Sequence, residues 1–148
     1  MNFSPDIADI THVIQLAVAP VFLLTGIGAI LTVMTHRLGR AVDRARHLQA
    51  TRESAQPDER EHLAAEFGVV GRRIRLAHRA IACAVLSELC VCLLIALAFV
   101  GAATGVDLAA VVAALFVLAM LALIATLLIF LREIMLSVRS VSRLIGRP

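Results

Sequence analysis

The placement of the basic residues is the feature that most constrains this sequence. All 14 basic residues are Arg, and the stretches 1–36 and 80–131 contain none of them. Those same two stretches hold most of the Leu, Val, Ile and Ala. A chain whose positive charges lie only at alternate ends of long apolar segments has the positive-inside pattern of a membrane protein. The sequence therefore predicts a membrane topology before any motif is considered.

Three apolar segments, approximately 10–35, 80–100 and 108–131, are candidates for membrane spans. A helix crosses a hydrocarbon core of about 30 Å with about 20 residues, and each segment reaches that length. The hydrophobic content of 60% and the mean hydropathy of +0.91 are too high for a soluble domain. We therefore expect an all-α integral membrane protein with three transmembrane helices, built as a single membrane domain over residues 1–148.

The net charge of +3 does not indicate nucleic-acid binding, because aromatic residues are few and the Arg flank the spans. Basic residues in that position indicate contact with a lipid bilayer through its anionic headgroups. They also predict that the N-terminus lies outside and the C-terminus in the cytoplasm. Because the opening residues are acidic and the first apolar run is long, we do not expect a cleavable signal peptide.

Segment 36–79 is predicted to form a long cytoplasmic helical hairpin. Residues that tolerate a helix continue the first span to about Glu53, so a first helix from Pro5 would be roughly 70 Å long. The chain then turns at Ser54–Pro57, and Pro57 suits the first turn of a second helix. The loop Gly101–Asp107 is predicted to join spans two and three, with Asp107 beginning a third helix that extends to about Leu144.

One face of the first helix is the leading candidate for a functional surface. Residues at three- and four-residue steps share this face, which reads acidic at one end, then polar, small and apolar, then basic. In a ring of subunits an acidic mouth would gather cations, and an apolar constriction would gate the path. The alternative interpretation is a helix–helix interface in which small residues let two backbones approach. The candidate ion path comprises Asp6, Asp9, His12, Gln15, Phe22, Gly26, Arg37, Arg40 and Arg44, with Glu88 added from the second span.

Glu88 is the acidic residue inside the second span, about 13 Å beyond Arg79 at helical rise. Carboxylates near a bilayer centre face a partner, a bundle interior or water, and many mark ion or proton pathways. The functional interpretation of Glu88 is thus an ion or proton site. The structural alternative is a neutral carboxyl group that is hydrogen-bonded to a neighbouring helix, with Ser87 or Thr25 at similar depth.

The sequence offers little for enzymatic chemistry. It contains no His-Glu-x-x-His and no Gly-x-Ser-x-Gly pattern, so we predict no catalytic residue and no enzyme activity. Cys83, Cys90 and Cys92 lack the paired spacing of a zinc or redox site and are interpreted as packing residues. We predict no bound metal and no cofactor.

Several segments resemble the bacterial membrane family called domain of unknown function 2721. The resemblance is carried by residues 14–17, 19–29 and 37–46, by His78–Ile81 at the entry to the second span, and by Arg132–Ile134 after the third. It implies a small three-span protein of the bacterial inner membrane and carries over no catalytic residue. Glu88 is not part of the family pattern.

Two functions are compatible with these observations. The first is an inner-membrane protein that self-associates as a homo-oligomer, extended to a cation channel or transporter whose first helix lines the path. The alternative is a non-transporting scaffold or accessory subunit that docks a partner through its Arg-rich cytoplasmic hairpin.

Overall fold

The structure, a computed structural model, describes residues 7–54 and 56–145, and it describes side chains at 15, 17–52, 56, 60 and 63–135. The described residues form three α-helices: α1 (Ile7–Ser54), α2 (Pro57–Thr104) and α3 (Ala109–Ile145). Each helix contains a segment that is long and apolar enough to cross a membrane. The all-α prediction is confirmed.

The turn between α1 and α2 lies where its residue types predicted it. α1 ends at Ser54 and α2 begins at Pro57. The ring of Pro57 fixes a helical φ, and the missing amide hydrogen costs nothing in the first turn of a helix. The amide of Arg60 then donates to the carbonyl of Gln56 at 3.1 Å, which starts the helical hydrogen-bond pattern.

The connection between α2 and α3 is shorter than predicted. The loop was predicted to begin at Gly101, but α2 continues to Thr104, so the first four residues of the predicted loop are helical. Gly105 ends the helix with a φ of 68°, and its amide donates to the carbonyl of Gly101 at 2.9 Å. This is the left-handed cap that glycine adopts without a Cβ penalty. Asp107 starts the next helix as predicted, since its Oδ1 accepts from the Ala109 amide at 3.0 Å.

The chain forms two compact units. Unit 1 comprises Met1–Ile30 and Cys83–Ile124. Its core is small and apolar, built from Cys90, Val91, Leu94 and Ala119. The buried hydroxyl of Ser87 donates to the carbonyl of Ala119 at 2.8 Å, so one polar contact joins α2 to α3 inside this apolar environment.

Unit 2 comprises Leu31–Ala82 and Ala125–Pro148. Met34, Leu48, Val70 and Ala80 are buried in it. Two polar contacts join α2 to α3. The Thr126 hydroxyl donates to the Ala80 carbonyl at 3.4 Å, and Arg73 Nη2 donates to Glu133 Oε1 at 3.2 Å. The two contacts are seven residues apart on each helix. Going along α2 from Arg73 to Ala80, the partners on α3 run backwards from Glu133 to Thr126, so the two helices are antiparallel.

Candidate functional site

The predicted face of α1 is exposed in unit 1. Gln15, Ala19, Phe22, Gly26 and Ala29 all lie on it, and we call these five residues the α1 face. The Phe22 side chain is 73% exposed, and a Cβ placed on Gly26 would meet no heavy atom within 4 Å. On the other side of the helix Ile27 is buried. Within unit 1, packing therefore uses the opposite side of α1 and leaves the predicted face open.

The acidic end of the predicted path lies outside the described side chains. Asp6 lies outside the described residues, and the side chains of Asp9 and His12 lie outside the described side chains. Their place on the α1 face stays a prediction from the helical period.

Glu88 lies beside α1, against Gly28. Its Oε1 would be 3.8 Å from a Cβ built on Gly28, which is ordinary van der Waals contact. Gly28 does not belong to the α1 face, so Glu88 does not join Gln15, Phe22 or Gly26 on that face. The proposed partners of Glu88 bond elsewhere: the Thr25 hydroxyl donates to the Val21 carbonyl of its own helix, and Ser87 donates to Ala119.

The three predicted basic residues of α1 have different environments in unit 2. Arg37 lies over the ring of Phe130, with the guanidinium carbon 5.4 Å from the ring centroid, and its Nε is 3.7 Å from Glu133 Oε2. Arg44 Nη2 is 2.6 Å from Glu66 Oε1. Arg40 is exposed. Arg37 is thus engaged in packing, whereas Arg40 remains accessible to a ligand.

Glu133 is the residue that reasoning from sequence missed. It is 4% exposed, and its two oxygens meet Arg37 from α1 and Arg73 from α2. We call Glu133 with these two arginines the carboxylate junction. A buried carboxylate is tolerated when cationic donors surround it, and removing such a partner is strongly destabilising. The available signal was an acidic residue next to Arg132 at the end of the third apolar segment, but the local sequence does not show which arginines it contacts.

Unit 2 also contains two cavities lined by arginine. One has a volume of about 250 Å³ and is lined by Arg37, Arg40, Ala41, Arg44, Val70 and Arg73. The other has a volume of about 180 Å³ and is lined by Arg72, Arg75, Leu76, Arg79 and Arg132. Guanidinium groups present fixed forks of N–H donors that suit phosphate and carboxylate oxygens. The sequence predicted anionic headgroups as partners but did not show which arginines come together in these two open cavities.

Possible metal ligands and three cysteines occur in the part of the chain that is described. No group of three or more His, Cys, Asp or Glu is placed there to hold a metal ion. Cys83, Cys90 and Cys92 are free thiols, and Cys90 belongs to the core of unit 1.

Three long apolar helices define a multi-pass membrane protein. The family model described as "Protein of unknown function (DUF2721)" matches residues 17–143, and the chain belongs to that family. The resemblance found in the sequence is thereby confirmed. No curated protein and no solved structure matches the chain.

Proposed function

We propose that the protein crosses the bacterial inner membrane three times, with its N-terminus outside and the hairpin 36–79 in the cytoplasm. The distribution of Arg supports this orientation, because every Arg then lies on the cytoplasmic side. A reporter that is active only in the cytoplasm should be active when it is fused after Pro148. A thiol probe that does not cross the membrane should leave a cysteine at Arg46 unlabelled in intact cells. Labelling at Arg46 would overturn this orientation.

Within that topology, we propose that copies of the chain associate through the α1 face and that the assembly conducts cations. The exposure of this face carries the proposal. A purely lipid-facing surface gains nothing from glutamine or glycine, whereas a helix–helix contact uses small residues for close approach and polar side chains for hydrogen bonds. Ala19, Gly26 and Ala29 supply the small residues, and Gln15 supplies the polar group.

The α1 face would also line the conducting path. Asp6 and Asp9 of each copy would gather at the outer mouth, where a ring of carboxylates favours cations. Phe22, which protrudes from unit 1, would narrow the path in its apolar zone. At the basic end of the predicted path, Arg37 pairs with Glu133 and Arg44 pairs with Glu66, so their positive charge is partly balanced.

Native mass spectrometry in nanodiscs, followed by cation flux into liposomes, tests the proposal. Phe22→Ala should raise the flux, because it widens and wets the constriction, and Asp9→Asn should lower the preference for cations over anions. Phe99→Ala is the matched control, since Phe99 is an exposed phenylalanine of unit 1 outside the α1 face. A monomeric protein, or equal flux in Phe22→Ala and Phe99→Ala, would refute the channel.

The alternative function is a scaffold or accessory subunit that docks a partner through hairpin 36–79. The arginine-lined cavities of unit 2 favour it, because they offer anion-binding groups that a cation path does not need. It predicts an assembly without flux whose function is lost when the hairpin arginines are replaced. Under both proposals the protein has no enzymatic activity of its own.

A further inference from the structure

The smaller arginine-lined cavity of unit 2 contains a concentration of positive charge without acidic residues. Arg72, Arg75 and Arg79 extend from α2 and Arg132 extends from α3, and Leu76 is the remaining lining residue. The three α2 positions follow steps of three and four residues, so the helix directs them to one side. We call this cavity with its four arginines the arginine pocket.

Nothing in the described part of the chain balances the charge of the arginine pocket. The ion pairs found there engage Arg37, Arg44 and Arg73, and none of them engages a residue that lines the pocket. Glu133 is adjacent to Arg132 in sequence, but its carboxylate is held in the carboxylate junction. The four arginines are exposed, so water weakens their mutual repulsion, and an anion that contacts several of them would gain from their combined positive charge.

The larger cavity of unit 2 provides an internal comparison. It also has four arginines, but Glu133 contacts Arg37 and Arg73, and Glu66 contacts Arg44. Its own carboxylates therefore satisfy much of its positive charge. Two cavities with the same number of arginines thus differ in their need for an external anion, and the arginine pocket has the greater need.

We propose that the arginine pocket binds the phosphate group of an anionic phospholipid. Several guanidinium forks around a cavity of about 180 Å³ suit an oxyanion with several acceptor oxygens better than a single halide ion. The source of the phosphate follows from position, and this step depends on the proposed membrane insertion. Arg79 directly precedes the second apolar segment and Arg132 directly follows the third, so both would lie at headgroup depth.

Lipid retention by the purified full-length protein tests the site. The protein is exchanged into zwitterionic detergent, phosphatidylglycerol is titrated in, and bound lipid is counted by native mass spectrometry. Phosphatidylcholine is the neutral comparison, and inorganic phosphate in a parallel titration tests a soluble source. Three variants are compared with the unmodified chain: Arg75→Gln, Arg132→Gln and Arg132→Lys. Arg46→Gln, at an exposed position that lines neither cavity, is the matched loss of one positive charge.

The unmodified chain and Arg46→Gln should retain phosphatidylglycerol in preference to phosphatidylcholine. Arg75→Gln and Arg132→Gln should weaken this retention by about tenfold, because each removes a charged hydrogen-bonding group. The retention of phosphatidylglycerol by Arg132→Lys should lie between that of the unmodified chain and that of Arg132→Gln. Lysine keeps the positive charge but lacks the forked N–H donors of the guanidinium group. Equal retention by Arg46→Gln and the pocket variants would overturn the proposal. Binding of inorganic phosphate without binding of phosphatidylglycerol would overturn the lipid source.

The assay separates this inference from the proposed function. Retention in detergent does not require a ring of subunits, ion flux or a particular orientation in the cell. A monomeric, non-conducting protein that still loses lipid in Arg132→Gln would refute the channel and support the arginine pocket. A conducting oligomer that retains as much lipid with Arg75→Gln or Arg132→Gln as without them would support the channel and refute the arginine pocket.

Discussion

Replacing Glu133 with Gln should destabilise the protein more than any other single loss of charge in its described part. The carboxylate is 4% exposed and meets Arg73 at 3.2 Å and Arg37 at 3.7 Å. Removing one partner of a buried ion pair costs about 3–5 kcal/mol when the remaining charge stays buried. The side chains of Arg37 and Arg73 are 27% and 25% exposed, so water relieves part of that cost. We therefore expect a loss of about 2–3 kcal/mol.

Thermal unfolding in detergent, followed by circular dichroism, measures this loss. For a chain of this size a change of 1 kcal/mol shifts Tm by about 2–4 °C, so Glu133→Gln should lower Tm by about 4–12 °C. Glu66→Gln is the matched control, because it breaks an ion pair whose side chains are 52% and 46% exposed. An exposed pair contributes about 1 kcal/mol or less. Its Tm should therefore change little.

The double variant Arg73→Met/Glu133→Leu shows whether the stability lost in Glu133→Gln comes from leaving an arginine unpaired or from losing the ion pair itself. Replacing Arg73 and Glu133 with apolar side chains removes the penalty of leaving Arg73 unpaired, and Arg37 keeps its contact with the Phe130 ring. This variant should therefore recover part of the stability that Glu133→Gln loses. The reasoning fails if Glu133→Gln and Glu66→Gln lower Tm equally. It also fails if the double variant is less stable than Glu133→Gln.

The remaining predictions concern unit 1 and the turn that follows α2, and each is checked by Tm in the same detergent. Ser87→Ala should cost about 0.5–1.5 kcal/mol, because it removes the buried hydrogen bond to Ala119; an unchanged Tm would contradict this. Gly105→Ala should cost about 1 kcal/mol, since its φ of 68° strains an L side chain, and Gly105→Asn should cost less. Gly28→Ala should be tolerated, because its Cβ would lie 3.8 Å from Glu88 Oε1, whereas Gly28→Leu should displace that carboxylate and lower Tm. Glu88→Gln should leave Tm nearly unchanged, and a normal cation flux in that variant would retire an ionic role for the carboxylate.

Local signals predicted most of the fold. Pro57 and Asp107 mark helix starts because their preferences depend on a few neighbouring residues, and both lie at helix starts in the structure. The end of α2 was placed too early because Gly101 was interpreted as the beginning of the loop. The structure ends the helix at Gly105 instead, since that is where φ becomes positive. Glycine often occupies the first position after a helix, where φ is positive, and this preference favours Gly105 as the residue that ends α2.

The candidate sites were less predictable because they depend on pairings between distant parts of the chain. The exposed face of α1 follows from helical period alone, and the structure leaves Phe22 and Gly26 open as that period allows. Glu133 and Arg73 are 60 residues apart, and only the packing of α2 on α3 brings them together. An acid among arginines looks like a solvated charge until its neighbours on other helices are known.

The ion pair between Arg73 and Glu133 has a consequence for how α3 finds its alignment along α2. Small apolar side chains repeat along both helices, so sliding α3 by one heptad would exchange one apolar contact for another at little cost. The same slip would carry Glu133 from Arg73 to Ala80 and separate the carboxylate from the guanidinium that pairs with it. A buried carboxylate that loses its cationic partner is strongly destabilising. The ion pair between Arg73 and Glu133 thus favours one register of α3 along α2 over others that apolar packing alone would allow.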